Sequence, residues 1–341
     1  MKRAIKLVVT VGILAFLFHK VGARHILGRV SGADRAMLWG GFAACVAAYC
    51  AMQVLKAYRL QVLLRAVGVA MGLVRLSLIY FIGMFFNIVL PTLVGGDAVR
   101  IAYLYRDAGK FDRAAASTVV ERVIGTAALI LMALVALVLS SRRDADPHMT
   151  LSVLFVTTGF VAGCLVLFTT WAYRLAMACL RAVGLGKLGH VVHEIQGAMT
   201  AYRRQGGVLA YTTALSLVAN LMMVGIHVIL ARALGLNLSL WFLLMAVPVT
   251  VLISMAPITM SGLGVREATW VFLLQAQGVP QADALAFSLL WFLVTAVASV
   301  FGGPAFLLMG KPAQPAAVAA PAPEPAPGLA VDESPMQAEE G

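Results

Sequence analysis

An all-α polytopic membrane protein is the fold class this sequence predicts, on three observations. Of the 341 residues, 61% are hydrophobic and only 12% are charged, whereas about a quarter of the residues of an ordinary soluble chain are charged. Mean hydropathy is +0.92. The apolar residues gather into about eight segments, several near the ~20 residues that cross a bilayer as a helix.

Taken in order, the first segment is 5–18, inside "MKRAIKLVVTVGILAFLFHKVGAR". Its basic flank and short apolar run are shared by signal peptides and signal anchors, and it reads as an anchor. Complete spans follow at 37–55, 113–140, 150–173, 208–231 and 283–309, about six in all with the first. Two further apolar segments, 76–90 and 240–256, break at Pro91 and Pro257 and continue into glycines and charged residues. These two predict re-entrant or broken helical hairpins. Between 174 and 207, apolar and basic residues alternate at helical spacing, as in an interfacial connection. His190, His193 and Glu194 within it have no further metal-like cluster beside them and read as surface residues. The chain thus divides into a membrane domain, 1–310, and a Pro/Ala-rich, then acidic tail, 311–341, with too few large apolar residues to fold.

Net charge is +11, yet five of the fifteen acids lie in the last eighteen residues, leaving 26 bases against 10 acids in the membrane part. No nucleic-acid partner is implied. Bases in a membrane protein collect in cytoplasmic loops and meet anionic headgroups. With the first hairpin entering from the cytoplasm, the second from outside and the N-terminus cytoplasmic, 17 bases fall inside and 8 outside, and Arg122 lies within a span. Were 76–90 to cross fully, nine bases of 97–113 and 174–207 would move outside. The bias favours re-entry, with both termini cytoplasmic. Cys45, Cys50, Cys164 and Cys179 form no CxxC or metal-like spacing and read as small hydrophobes.

The broken segments align as a weak inverted repeat, "PTLVGGDAVR" (91–100) beside "PITMSGLGVR" (257–266). Proline ends a helix and glycines let the backbone turn. Backbone groups freed in this way persist in a membrane only where protein, water or ligand satisfies them. The next helix presents a positive dipole end and open N–H donors, which suit an anion. In the first copy Asn87 precedes Pro91, Gly95 and Gly96 form the turn, Asp97 is placed to cap the new helix, and Arg100 follows one turn on. In the second, Ser261 or Gly262 is the expected cap, Gly264 follows, and Arg266 and Glu267 open the helix. "VVERVIG" sets Glu121 and Arg122 inside a span, where an unpaired charge costs at least ~2.5 kcal/mol. These charges therefore expect partners: either a substrate, or each other, Glu121 with Arg100 or Arg266 and Asp97 with Arg122. Lys56 and Arg59 sit one turn apart at the end of the second span, and Asn220 and His227 read as helix-to-helix hydrogen-bonding groups.

"NIVLPTLVGGDAVR", "STVVERVIG" and "MAPITMSGLGVRE", in that order, resemble the transmembrane domain of lysylphosphatidylglycerol synthases. That family is also described as flippase-like and includes a membrane protein of archaeal glycosylation. The resemblance runs from about 5 to 309. It implies an integral protein of the cytoplasmic membrane of a prokaryote that binds or moves a lipid with a polar headgroup. It further implies a substrate site at Asn87, Gly95, Gly96, Asp97, Arg100, Glu121, Arg122, Gly262, Gly264, Arg266 and Glu267, with Pro91 and Pro257 as helix breakers. Where many relatives have a proline-glycine-glycine turn before the last motif, this chain reads "APITMSGLG". In full-length synthases a soluble domain attaches the amino acid; the Pro/Ala tail here does not resemble it, so lysyl transfer is not carried over.

The expected function is a lipid flippase-like transporter of a phospholipid or a polyprenyl-phosphate-linked lipid. The alternatives are an accessory subunit of a separate lipid-modifying or envelope enzyme and a transferase acting on lipid headgroups. No nucleotide loop, metal cluster or nucleophile elbow favours the enzyme, and no catalytic residue, metal or cofactor is expected. Expected partners are membrane lipids with phosphate headgroups. Nothing in the sequence sets the oligomeric state, the direction of transport or its energy coupling.

Overall fold

A computed structural model of the chain describes residues 35–89, 95–109, 111–139, 150–155, 157–159, 161, 202, 204–255 and 262–310. Nine helices account for the long elements: α1 (Arg35–Ala66), α2 (Leu73–Val89), α3 (Gly95–Ala108), α4 (Phe111–Leu139), α5 (Gly206–Ala233), α6 (Leu240–Ser254), α7 (Val265–Ala276), α8 (Gln281–Val300) and α9 (Gly302–Met309). No strand occurs among the described residues. Among the described residues, four stretches are long and apolar enough to cross a membrane: Trp39–Ala66, Arg113–Leu139, Gly206–Ala233 and Gln281–Met309. α2 and α6 are shorter apolar helices of 17 and 15 residues, about 22 to 26 Å at 1.5 Å per residue. The expected spans at 5–18 and, beyond its first turns, 150–173 lie outside the described residues, as do Pro91, Pro257, Ser261, the histidines of 174–207 and the tail.

One expected boundary is corrected. The second span was read as ending at residue 55, because Lys56 and Arg59 look like the start of a loop. α1 instead runs eleven residues further, to Ala66. Leu60, Leu63 and Leu64 carry its apolar character onward and are fully buried, and the two cations turn toward the protein interior.

Burial is arranged as a membrane demands. Val138, Leu307 and Leu308 are 80–82% exposed, while Glu121 and Arg59 are 3% and 6% exposed. Apolar side chains face outward and charges inward, the arrangement in which hydrocarbon is the solvent. Hydroxyls of Thr118, Thr212, Ser216, Ser254 and Ser299 donate to the carbonyl four residues back in their own helices, so they enter the bundle without stray polar groups.

Two larger apolar clusters and a small third one, of Leu63, Val120, Ile124 and Tyr202, hold the bundle. The largest joins α1 and α4 to α5, α6, α7 and α8, with Trp270, Phe287 and Trp291 at its centre. His227 packs there against all three rings at 4.3–5.8 Å between centroids, its Nδ1 bonded to the Met223 carbonyl of its own helix at 2.8 Å. The second cluster joins α1, α2, α3 and α9. Tyr103 donates to the Gly310 carbonyl at 2.5 Å and Arg106 to that of Met309 at 2.8 Å, fastening the end of α9 to α3. Between the two larger clusters lies a polar seam.

Candidate functional site

That seam is built where α2 folds back against α3. A Cβ on Gly96 would stand 2.5 Å from Asn87 Oδ1 and closer still to the Gly83 carbonyl oxygen, so only glycine lets the two backbones approach this far. Asn87 Oδ1 accepts the Gly96 N–H at 2.9 Å. The opening turn of α3 is therefore capped by a side chain from the neighbouring helix. Asp97, expected as the cap, is instead the third residue of α3, and its carboxylate is free to turn toward α4.

The charges meet from three helices. Glu121 Oε1, on α4, accepts from Arg59 Nη2 of α1 at 2.7 Å and from the Tyr80 hydroxyl of α2, and its Oε2 accepts from Arg100 Nη2 of α3 at 2.7 Å. Asp97 Oδ1 takes Arg100 Nη1 at 3.3 Å, and its Oδ2 pairs with Arg122. Arg59 Nη1 donates to Ser216 Oγ of α5 at 2.6 Å. The Arg100 guanidinium lies 3.8 Å above the centre of the Tyr80 ring, close enough for cation–π attraction. Of the ion pairs foreseen in the sequence, Asp97 with Arg122 is formed, and Glu121 takes Arg100, not Arg266.

Around this network opens a cavity of about 320 Å³, at the small end of ligand sites. α1 contributes Tyr49, Gln53, Lys56 and Arg59; α2 contributes Tyr80, Gly83, Met84 and Asn87; α3 contributes Asp97 and Arg100. α4 closes it with Glu121, Arg122, Gly125, Thr126 and Leu129, and α5 and α6 with Asn220, Met223 and Val251. Four cations thus face two carboxylates.

The family model of the lysylphosphatidylglycerol synthase TM region matches residues 3–303. The chain belongs to that family. The match nearly coincides with the 5–309 expected from the motifs. No curated protein and no solved structure matches the chain significantly.

In this member of the lysylphosphatidylglycerol synthase TM family, the second motif is placed differently from the first. Gly262, Gly264, Arg266 and Glu267 do not line the cavity. Gly264 caps α7 at φ +86°, with Gly262 at +74°, left-handed values that L side chains avoid. Glu267 Oε2 accepts the Gly264 N–H at 2.5 Å, and its Oε1 accepts from Arg266 Nε at 3.0 Å and Nη2 at 2.5 Å. The cap is Gly264, not Ser261 or Gly262 as expected. The repeat is also out of step: α3 begins at the fifth position of its motif and α7 at the ninth, so Arg100 is the sixth residue of its helix and Arg266 the second of its own.

Sequence reasoning did not assign Lys56, Arg59, Gln53, Tyr80 and Asn220 to the site. A signal existed for three of them. Gln53, Lys56 and Arg59 follow Tyr49 at spacings of four, three and three residues, one polar stripe along a helix face. Tyr80 and Asn220 are single polar groups in apolar helices, with nothing around them in sequence to separate a ligand-facing role from packing.

Proposed function

We propose that this protein binds the phosphate-bearing headgroup of a membrane lipid in the cavity between α1, α2, α3, α4 and α5 and carries that lipid between leaflets. Four cations converging with two carboxylates inside a membrane-spanning bundle support this reading most directly. An excess of buried cation is costly in hydrocarbon unless an anion meets it. The cavity admits a headgroup and leaves the acyl chains in the bilayer. Within the proposal, Arg100 and Arg122 hold the phosphate while Asp97 and Glu121 set their positions. Asn87, Gly95 and Gly96 shape the turn. Gly262, Gly264, Arg266 and Glu267 fix the start of α7. The short helices α2 and α6 are the entering arms of re-entrant hairpins in an inverted pair, as in transporters whose broken helices meet at a central site. The protein is placed in the cytoplasmic membrane of a prokaryote, with both termini cytoplasmic.

A second reading has one observation in its favour: both carboxylates are paired with protein cations, as in a brace that only joins helices. Reconstituted full-length protein separates the two. Separate liposome preparations carrying acyl-labelled fluorescent phosphatidic acid or phosphatidylglycerol are treated with dithionite, which bleaches only the outer leaflet. Wild type should flip the lipid, Arg100→Ala should lose on the order of tenfold or more in rate, as removal of a charged hydrogen-bond donor implies, and Arg266→Ala should keep most of it. Wild type no faster than protein-free liposomes, or folded Arg100→Ala as fast as wild type, would leave the brace.

A further inference from the structure

Resting on the lipid-headgroup reading of the cavity, we infer that its ligand is a lipid whose headgroup ends in a phosphomonoester and carries no cationic group. Charge balance points there first. Lys56, Arg59, Arg100 and Arg122 against Asp97 and Glu121 leave a formal +2. A phosphomonoester brings about −1.5 to −2 at neutral pH and cancels it. A phosphodiester such as phosphatidylglycerol cancels half, a zwitterion cancels nothing, and an aminoacylated headgroup with net positive charge adds to the excess.

The engaged groups point the same way. Both oxygens of Glu121 and both oxygens of Asp97 already receive arginine or tyrosine donors. An ammonium group would have to compete with these donors for either carboxylate, and among the described residues the acids of the cavity are these two.

Several donors of the lining are still open. Lys56 lines the cavity and makes no ion pair or hydrogen bond among the described residues. Asn220 is 5% exposed, and its Nδ2, together with Arg59 Nε and Arg100 Nε, is buried without a partner among the described residues. Buried donors call for acceptors. The three terminal oxygens of a phosphomonoester offer acceptors in several directions at once and hold the charge to match Lys56, whereas a diester has two such oxygens and one charge. Lys56 is the residue that reads the second negative charge.

Native mass spectrometry of the full chain, offered an equimolar mixture of phosphatidic acid, phosphatidylglycerol, phosphatidylethanolamine and lysylphosphatidylglycerol, tests this. Phosphatidic acid should be enriched over phosphatidylethanolamine by on the order of tenfold, and Lys56→Gln should bring it down to the level of phosphatidylglycerol. Lys56→Gln removes an unmatched charge and should melt no lower than wild type in lipid-free detergent, so its loss of selectivity is not loss of fold. Preferential retention of lysylphosphatidylglycerol, or unchanged selectivity in Lys56→Gln, overturns the inference and leaves lipid transport standing. Equal retention of all four lipids by wild type and by Arg100→Ala overturns the headgroup site itself. Excess inorganic phosphate separates lipid from free anion: bound phosphatidic acid should persist, and its displacement by phosphate alone would overturn the lipid as ligand.

Discussion

The α2–α3 and α6–α7 hairpins begin from similar motifs and use them in opposite ways. In the first, the acid and base of the motif reach outward: Asp97 and Arg100 pair with Arg122 and Glu121 of another helix and line a cavity. In the second, Arg266 and Glu267 close on each other, and Glu267 also binds the Gly264 N–H. The difference comes from where the helix starts. When the turn ends early, as at Gly95, the arginine lies more than one turn into the helix and can reach a neighbour. When the turn runs on to Gly264, the arginine sits in the first turn beside a glutamate already committed to the cap. The same residue types thus give a network between helices in one place and a local closure in the other.

The largest effect should come from breaking the centre of the first hairpin's network. Glu121→Gln leaves Arg59 and Arg100 buried without their carboxylate, and loss of one partner from a buried ion pair costs about 3–5 kcal/mol. Glu267→Gln strands one buried arginine, Arg266, where Glu121→Gln strands two, and should cost less, toward the lower end of that range. Equilibrium unfolding in mixed detergent micelles measures both, and equal losses would erase the contrast between network and closure.

Next in size is the close approach of the backbones. Gly96→Ala must push α2 from α3 against the Gly83 carbonyl, an overpacking cost of about 1–3 kcal/mol, and should also weaken lipid retention. Gly264→Ala meets a conformational penalty of about 1–2 kcal/mol from its left-handed φ and should leave retention unchanged. A retention loss in Gly264→Ala instead would mean that the second hairpin also shapes the cavity.

A smaller effect is expected at the cap that crosses the hairpin. Asn87→Ala removes the acceptor of the Gly96 N–H, worth about 0.5–2 kcal/mol by analogy with N-caps. Hydrogen exchange at the Gly96 amide should rise in that variant, while exchange at Gly264 stays as in wild type. Smallest of all, Arg266→Lys keeps the charge beside Glu267 and loses one of the two donors to its Oε1, which should cost about 0.5–1.5 kcal/mol.

Much of the fold was legible because hydrocarbon leaves few options. The spans expected at 113–140, 208–231 and 283–309 match described helices within about two residues at each end. The pairing of Asp97 with Arg122, and of Glu121 with one of Arg100 and Arg266, was legible too, since charges inside spans need partners. The extension of α1 was hidden because a lysine and an arginine in sequence look like the edge of the membrane, and only the position of Glu121 in space shows that they point inward. The different start points of α3 and α7 were equally hidden: four identities in ten say nothing of whether a turn ends at the fifth position or the ninth. Which residue caps α3 was illegible for a related reason, because Asn87 acts from the preceding helix, across a proline.

Glu121 and Arg122 are neighbours on α4, and each binds a different residue of α3. Successive residues on a helix point about 100° apart, so α3 must run through the angle between the two side chains. The paired contacts therefore fix the rotational setting of α4 about its own long axis. A turn of α4 by a single residue would carry both side chains off their partners together, so α3 and α4 are geared to each other. Any rearrangement that preserves these contacts has to swing the two helices as one rigid arm, with the hinge elsewhere.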